Sequence, residues 1–188
     1  VLRQEPVEPS IVDKGIPAPG LIAYTMVSRF ADHIPYYRQE QINAEAVFTR
    51  LVGAGILAGH ASAGVAPLLE AHRAFVFGAA VLHADETPVA MLDPGSGRTR
   101  RAYVWAYARG AFDQHPGVVY DFCVSRAGRH AVKALGKWSG TFIVDDYAGY
   151  DVALKLENRI EAGCLAHCRR KFDELVKALK PILNAEGK

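Results

Sequence analysis

The chain has 188 residues, of which 50% are hydrophobic and 22% charged, a composition typical of a folded domain and not of a disordered chain. Its formal net charge is only +2, so bulk basicity does not indicate a nucleic-acid partner, and any DNA-binding surface must be local. Three cysteines are too few for a disulfide-stapled secreted fold, which favours a reducing compartment. No apolar stretch is long enough to span a membrane, so no membrane partner is expected.

The first part of the chain has the pattern of a lead-in followed by helices. Four prolines interrupt residues 1–19 and predict an extended segment. A helix ending at Pro35 is predicted by the helical spacing of Val27, Phe30, Ala31 and Ile34. A second helix is expected over residues 36–51, and Pro67 is expected to open a third that extends to residue 75. Residues 20–78 are therefore predicted to form a helical region.

From residue 79 the periodicity becomes that of strands. Four strands are predicted, at residues 80–85, 102–108, 118–124 and 141–145. Short turns join the first three, which predicts an antiparallel meander, and a helix carrying Ala131, Leu135 and Trp138 precedes the fourth. A helix around 150–159, a strand at 160–165 and a basic helix at 167–179 follow. The predicted fold class is α/β, with a mixed sheet in which the fourth strand lies parallel to the first.

Two aspartates end the apolar runs of the first and fourth predicted strands. Asp85 and Asp145 would emerge side by side if those strands are parallel neighbours, because adjacent strands are about 4.8 Å apart. Two carboxylates at that spacing are suitable ligands for one hard divalent cation. Each aspartate alone is better explained as a helix cap or turn former, and it is the pairing that favours a metal site.

Several other residues have two readings each. We expect Glu86 to be a solvated neighbour of the site or a group that supports the metal ligands. Asp121 is either a buried partner of an arginine or a residue near the site, and the sequence leaves both readings open. The aromatic residues of the second strand are interpreted as core: Tyr103, Trp105 and Tyr107.

A strand-to-helix junction late in the chain groups three potential zinc ligands, Cys164, His167 and Cys168. Structural zinc needs four ligands and no second Cys/His pair is nearby, so buried thiols are favoured. The next three residues are basic: Arg169, Arg170 and Lys171. They would either bind DNA phosphates or form a solvated helix face paired with Asp173 and Glu174, and the charge pattern does not separate these readings.

Four ordered motifs resemble transposases of the insertion-sequence-66 family: residues 83–89 (HADETPV), 120–126 (YDFCVSR), 145–150 (DDYAGY) and 163–172 (GCLAHCRRKF). Residues 19–23, 28–35 and 37–41 are similar to the region that precedes that family's catalytic domain. The resemblance covers about residues 18–43 and 80–178, and the four motifs together are specific although each alone would be weak.

This resemblance implies a ribonuclease-H-like fold with a DDE triad that acts on DNA with Mg²⁺, or alternatively Mn²⁺. Asp85 and Asp145 match the first two acids, both as catalytic residues and as metal ligands. Asp146 replaces a family glycine, so either Asp145 or Asp146 could face the metal. The third acid has no counterpart before Lys188, so residues 79–188 are expected to be a catalytic domain incomplete at its C-terminus. The expected setting is a homo-oligomer on DNA in the bacterial cytoplasm, associated with the nucleoid when acting.

The leading hypothesis is therefore a DNA transposase that catalyses metal-dependent strand cleavage and strand transfer at transposon ends. One alternative is a truncated, non-catalytic remnant that binds DNA or a partner transposase. A second alternative is an unrelated α/β metal-dependent phosphohydrolase, which would cleave small phosphate esters but not DNA.

Overall fold

A computed structural model describes residues 18–45, 54–110, 112–156 and 158–186. The predicted lead-in therefore lies outside the described residues except for its last two positions. In chain order the elements are α1 (Pro19–Phe30), α2 (Tyr36–Glu45), α3 (Ala54–Phe77), β1 (Val81–Asp93), β2 (Arg98–Arg109), β3 (Val118–Cys123), α4 (Arg129–Leu135), β4 (Thr141–Val144), a 3₁₀ turn (Ala148–Tyr150), α5 (Asp151–Leu154), β5 (Ile160–Gly163) and α6 (Leu165–Glu186). None of the described helices is both long and apolar enough to cross a membrane.

The chain forms two compact units, Val1–Glu70 and Ala71–Lys188. In the first unit the predicted apolar stripe of α1 is wrong, because Val27 and Phe30 are 56% and 63% exposed. The buried side of α1 is formed by Ile22, Thr25 and Ser28. Gln39 of α2 is buried against this side, because its amide donates hydrogen bonds to the carbonyl oxygens of Thr25 and Ile34. Ile22 also packs with Ala61 of α3, so contacts with both neighbouring helices accompany the burial of this face.

Two helix boundaries also differ from the prediction. The first helix ends at Phe30, so Ile34 lies outside it. Pro67 does not open a helix but lies inside α3, which begins at Ala54. A proline inside a helix removes one hydrogen bond and crowds the preceding turn, yet a long helix with alanine-rich flanks can absorb this. α2 ends at Glu45, and residues 46–51 of the predicted second helix lie outside the described part of the chain.

The second unit is built on a five-stranded mixed sheet with the order β3-β2-β1-β4-β5. β1 pairs antiparallel with β2, and β2 pairs antiparallel with β3. β4 pairs parallel with β1, and β5 pairs parallel with β4. This confirms the predicted meander, the helical crossover and the parallel fourth strand, in an arrangement consistent with the ribonuclease-H-like fold.

One face of this sheet holds the hydrophobic core. Its fully buried residues include Leu82, Trp105, Tyr107, Phe142 and Tyr150. The end of α3, α4 and α5 cover it, and Ala131, Leu135 and Trp138 are buried there as the helical spacing predicts. The interpretation of the β2 aromatics as core residues is confirmed. Because side chains alternate along a strand, the residues between the buried ones, among them Asp85, point to the opposite face.

The first strand does not end at Asp85, as the sequence suggested, but continues to Asp93. The reason is its pairing with β2, which continues without a break from Leu82↔Arg109 to Asp93↔Arg98. Pro88 lacks an amide donor, but it lies beyond the last pair with β4, where one edge of β1 carries no partner strand. The strand that does end at this level is β4, whose last residue is Val144.

Candidate active site

The strands that lead to the two predicted acids are parallel neighbours. His83↔Ile143 is the last pair between β1 and β4, and Asp85 and Asp145 each lie two residues further along. Residues at equal distance from a parallel pair share a face and a level, and neighbouring strands are about 4.8 Å apart. Asp85 is exposed and Asp145 half-buried, so both carboxylates border solvent at this point.

Each of the two carboxylates is held by a local backbone hydrogen bond. The amide of Glu86 donates to Asp85 Oδ1 over 3.0 Å, and the amide of Tyr147 donates to Asp145 Oδ1 over 3.1 Å. A carboxylate has about four lone-pair positions, so one such bond fixes its orientation and leaves capacity for a cation. The two side chains are therefore oriented and still have oxygen lone pairs that can bind a cation.

Glu86 lies on the opposite face from Asp85, and the expectation that it is solvated is wrong. Its side chain is fully buried (0% exposed) and forms an ion pair with Arg126, whose side chain is 41% exposed. Arg126 Nε donates to Glu86 Oε1 over 2.6 Å, and the hydroxyl of Tyr150 donates to the other oxygen. Burial, then this hydrogen bond, raise the pKa of Tyr150 far above its ordinary value, so it stays a donor.

Arg126 links this buried carboxylate to the loop that carries Asp145. Its guanidinium lies 3.7 Å from the ring centroid of Tyr147, and the Tyr147 hydroxyl donates to the Arg126 carbonyl over 2.6 Å. Partial burial by itself lowers the pKa of Arg126, but the hydrogen bond and charge of Glu86 leave that pKa raised. Since the amide of Tyr147 also holds Asp145, the contacts run from Glu86 through Arg126 and Tyr147 to the second acid.

The same two loops approach each other through glycines. A Cβ added to Gly128 would lie 2.0 Å from the carbonyl oxygen of Gly149, far inside van der Waals contact. Gly128 precedes α4, and Gly149 lies in the 3₁₀ turn after β4. Only a residue without a Cβ at position 128 permits this approach. The loop after β3 and the loop after β4 are therefore packed against each other.

Asp146, the other aspartate of the motif, has a different partner. Lys171 of α6 donates to Asp146 Oδ2 in an exposed ion pair. This hydrogen bond, and next the charge of Lys171, lower the pKa of Asp146, and the same contact raises the pKa of Lys171. Of the three predicted DNA-binding residues, Lys171 is thus paired, while Arg169 and Arg170 are exposed on α6.

The structure also shows the surroundings of Asp121, the two late cysteines and the charged residues of α6. Asp121 is the partner of an arginine, because Arg73 donates to both of its carboxylate oxygens, over 2.9 and 3.1 Å. Cys164 is half-buried and Cys168 exposed, both as free thiols, so the expectation of a buried thiol is wrong for Cys168. On α6, Lys177 pairs with Asp173, in agreement with the solvated reading of that charge pattern.

The family resemblance implies a divalent cation at this site. Asp85 and Asp145 supply the oxygen ligands that Mg²⁺ prefers. Across the described ranges no group of three or more His, Cys, Asp or Glu residues is arranged to hold a metal. This finding includes Cys164, His167 and Cys168. The acids therefore fit as two ligands of an incomplete set.

Sequence reasoning missed Glu86, Arg126 and Tyr147 as one connected unit, although a signal was present. Glu86 continues the alternation of Leu82 and Ala84, which are buried, and so falls on the core face. A carboxylate at a core position requires a cation and hydrogen-bond donors. Its partners, however, are 40 and 64 residues away in the sequence, and no local pattern identifies them.

Comparison with known proteins fits this geometry. Residues 14–186 match the family described as Transposase IS66 family. The chain belongs to this family. Two similar proteins of Sinorhizobium fredii (strain NBRC 101917 / NGR234), named "Uncharacterized protein y4jD" and "Uncharacterized protein y4qI", are each 34% identical to it. The match covers 94% and 88% of this chain but only 37% and 33% of those proteins, so the chain spans about a third of their length.

Membership of the IS66 transposase family supports a transposase-type function. It also agrees with the strand order of the sheet. Because the IS66 match covers nearly the whole chain, the helical unit and the sheet unit both belong to the matched region.

Proposed function

We propose that this chain forms part of the catalytic region of a DNA transposase, in which Asp85 and Asp145 bind a divalent cation, Mg²⁺ or alternatively Mn²⁺. The supporting observation is the parallel β1–β4 register, in which both aspartates lie two residues beyond the last pair. The reaction class is phosphodiester cleavage followed by strand transfer at transposon ends. The domain division at residues 19/20 and 78/79 is part of this proposal.

The residues of this chain would bind and orient the reacting groups. Asp85 and Asp145 hold the cation, and the Glu86–Arg126–Tyr147 contacts fix the loop that carries Asp145. The bound cation would lower the pKa of the attacking water or 3′-hydroxyl and neutralise charge on the leaving oxygen. Asp145 is the favoured ligand of the aspartate pair, since Asp146 is engaged by Lys171.

In this proposal a third acid from outside the described residues completes the site. The IS66 relatives have far more sequence than the matched part, which leaves room for such a residue. Arg169 and Arg170 are proposed to contact DNA phosphates from the exposed surface of α6. A homo-oligomer on paired DNA ends, acting at the nucleoid in the bacterial cytoplasm, is the proposed working state.

The test compares three conservative variants: Asp85→Asn, Asp145→Asn and Asp146→Asn. We expect the first two to abolish Mg²⁺-dependent cleavage of transposon-end DNA in a full-length protein and to weaken Mn²⁺ binding by this chain, measured by electron paramagnetic resonance. Asp146→Asn serves as the matched control and should retain both activities. Tryptophan fluorescence checks that the fold is kept. Cleavage that survives Asp85→Asn refutes the assignment, and loss in Asp146→Asn alone transfers the second role to that residue.

A second candidate function is favoured by the incomplete ligand set: a remnant that binds DNA or a partner transposase without cutting. DNA binding by this chain with no cation dependence, together with no cleavage in the full-length protein, would support it. An unrelated phosphohydrolase is disfavoured by the family match, and it would be indicated by cleavage of p-nitrophenyl phosphate but not of DNA.

A further inference from the structure

The β1–β2 hairpin extends well beyond the rest of the sheet. β3 pairs with β2 only over Tyr103 to Ala108, and β4 pairs with β1 only over Val81 to His83. Residues 90–101 are therefore paired only with each other, with a four-residue turn at residues 94–97 in which Gly95 and Gly97 adopt positive φ. We call this two-stranded segment, residues 90–101, the ribbon.

The ribbon is basic, although the chain as a whole is nearly neutral. It carries three exposed arginines and a single acid, Asp93, for a net charge of +3 − 1 = +2, the same as the formal net charge of the whole chain. Within the described part of the chain, no salt bridge involves the three guanidinium groups of Arg98, Arg100 and Arg101. The local basic surface that the overall charge did not reveal is therefore present here.

Two of these arginines share a sheet face with Asp85. The β1–β2 register has no bulge, so residues an even number of positions apart on β1, and the β2 residues opposite them, lie on one face of the sheet. Asp93 and Met91 are each an even number of positions from Asp85. Arg98 lies opposite Asp93 and Arg100 lies opposite Met91. Met91 is six residues from Asp85, about 20 Å along an extended strand. That length corresponds to about six base pairs of duplex at roughly 3.4 Å each.

We infer that the ribbon binds duplex DNA, with Arg98 and Arg100 contacting the segment that runs away from Asp85. A two-stranded ribbon is narrow enough to enter the major groove, and guanidinium groups bind phosphates in a bidentate way. The alternative explanation is that the arginines only protect the free edges of the hairpin from pairing with other chains. The placement of cleavage at Asp85 rests on the proposed function, whereas binding by the ribbon does not.

The test measures binding of a fluorescein-labelled 30-base-pair duplex by anisotropy, in EDTA and at several salt concentrations. The ribbon variant is Arg98→Ala/Arg100→Ala/Arg101→Ala. The matched control, which removes the same charge from exposed positions on and after α4, is Arg129→Ala/Lys133→Ala/Lys137→Ala. Arg98 and Arg100 share the sheet face of Asp85, whereas Arg101 lies opposite Ala90 and falls on the other face, so two phosphate contacts are lost in the ribbon variant. The slope of log K against log[salt] should therefore shrink by about 1.8, at roughly 0.9 per contact. The control should change it by less than about 1.

A ribbon variant that binds like the wild type, or an equal loss in both variants, would overturn the inference, since the second result reports net charge alone. A triple arginine-to-lysine ribbon variant should restore most of the slope, and failure to do so in a folded protein would also count against phosphate contact. Because binding is measured without a divalent cation, the result is independent of cleavage.

Discussion

Replacement of Arg126, the cationic partner of the buried Glu86, is the sharpest test of the Glu86–Arg126–Tyr147 contacts that hold the site. In Arg126→Met the apolar stem is retained, but Glu86, with its side chain fully buried, keeps only the hydroxyl of Tyr150 as a side-chain partner. Breaking a buried ion pair in this way costs about 3–5 kcal/mol. Arg126 itself is 41% exposed, so water can enter the vacated space, and we expect a loss of about 2–4 kcal/mol in the free energy of unfolding.

A double-mutant cycle separates the pair from other effects. Glu86→Gln keeps the shape and the Tyr150 hydrogen bond but loses the charge-assisted bond from Arg126, for which we expect about 1–3 kcal/mol. With a neutral residue at position 86, the buried side chain no longer needs the positive charge of Arg126. The double variant should therefore be more stable than the sum of the single losses by about 1–3 kcal/mol.

The assay is urea unfolding followed by tryptophan fluorescence. The chain has two tryptophans, Trp105 and Trp138, and both are buried in the core of the sheet unit. Lys177→Met serves as the control, because its ion pair with Asp173 is exposed and should contribute little. If Arg126→Met is no more destabilising than this control, or if the two single losses simply add, then Glu86 does not depend on Arg126 and the framework argument fails.

Two further predictions follow from the contacts described above. Gly128→Ala should lower the free energy of unfolding by about 1–3 kcal/mol, because its Cβ would overlap the carbonyl oxygen of Gly149. Gly163→Ala is the control and should change this free energy little, because a Cβ at position 163 meets nothing within 4 Å. Equal stability of the two variants in urea would show that the loops can separate without strain. Iodoacetamide should modify the exposed Cys168 before Cys123, because burial, and next the charge of Asp121, raise the pKa of the Cys123 thiol. Peptide mass spectrometry against time and pH measures this order, and the rate at Cys123 should still be rising at a pH above the usual thiol range; faster reaction at Cys123 would contradict the assigned environment.

The sequence determined the order and type of the elements of the second unit. Turn residues such as Gly95 and Gly97, strand alternation around Trp105 and the helical spacing of Ala131 and Leu135 are local signals, and the structure has the expected elements at those places. Chain connectivity then limited the topology, because short turns require antiparallel neighbours and a helical crossover permits a parallel strand. The parallel pairing of β1 with β4, the strands that precede Asp85 and Asp145, could be predicted for this reason.

Only the tertiary structure decided which surfaces are buried and where the strands end. The buried side of α1 is set by tertiary contacts such as those with Gln39 and Ala61, and the extension of β1 past Asp85 accompanies its continued pairing with β2. The role of Glu86 depends on partners brought to it by separate loops. These outcomes come from contacts between residues distant in the sequence, and the free energy of those contacts exceeds the local preference for helix or strand. The pattern of a single sequence indicates only the local preference.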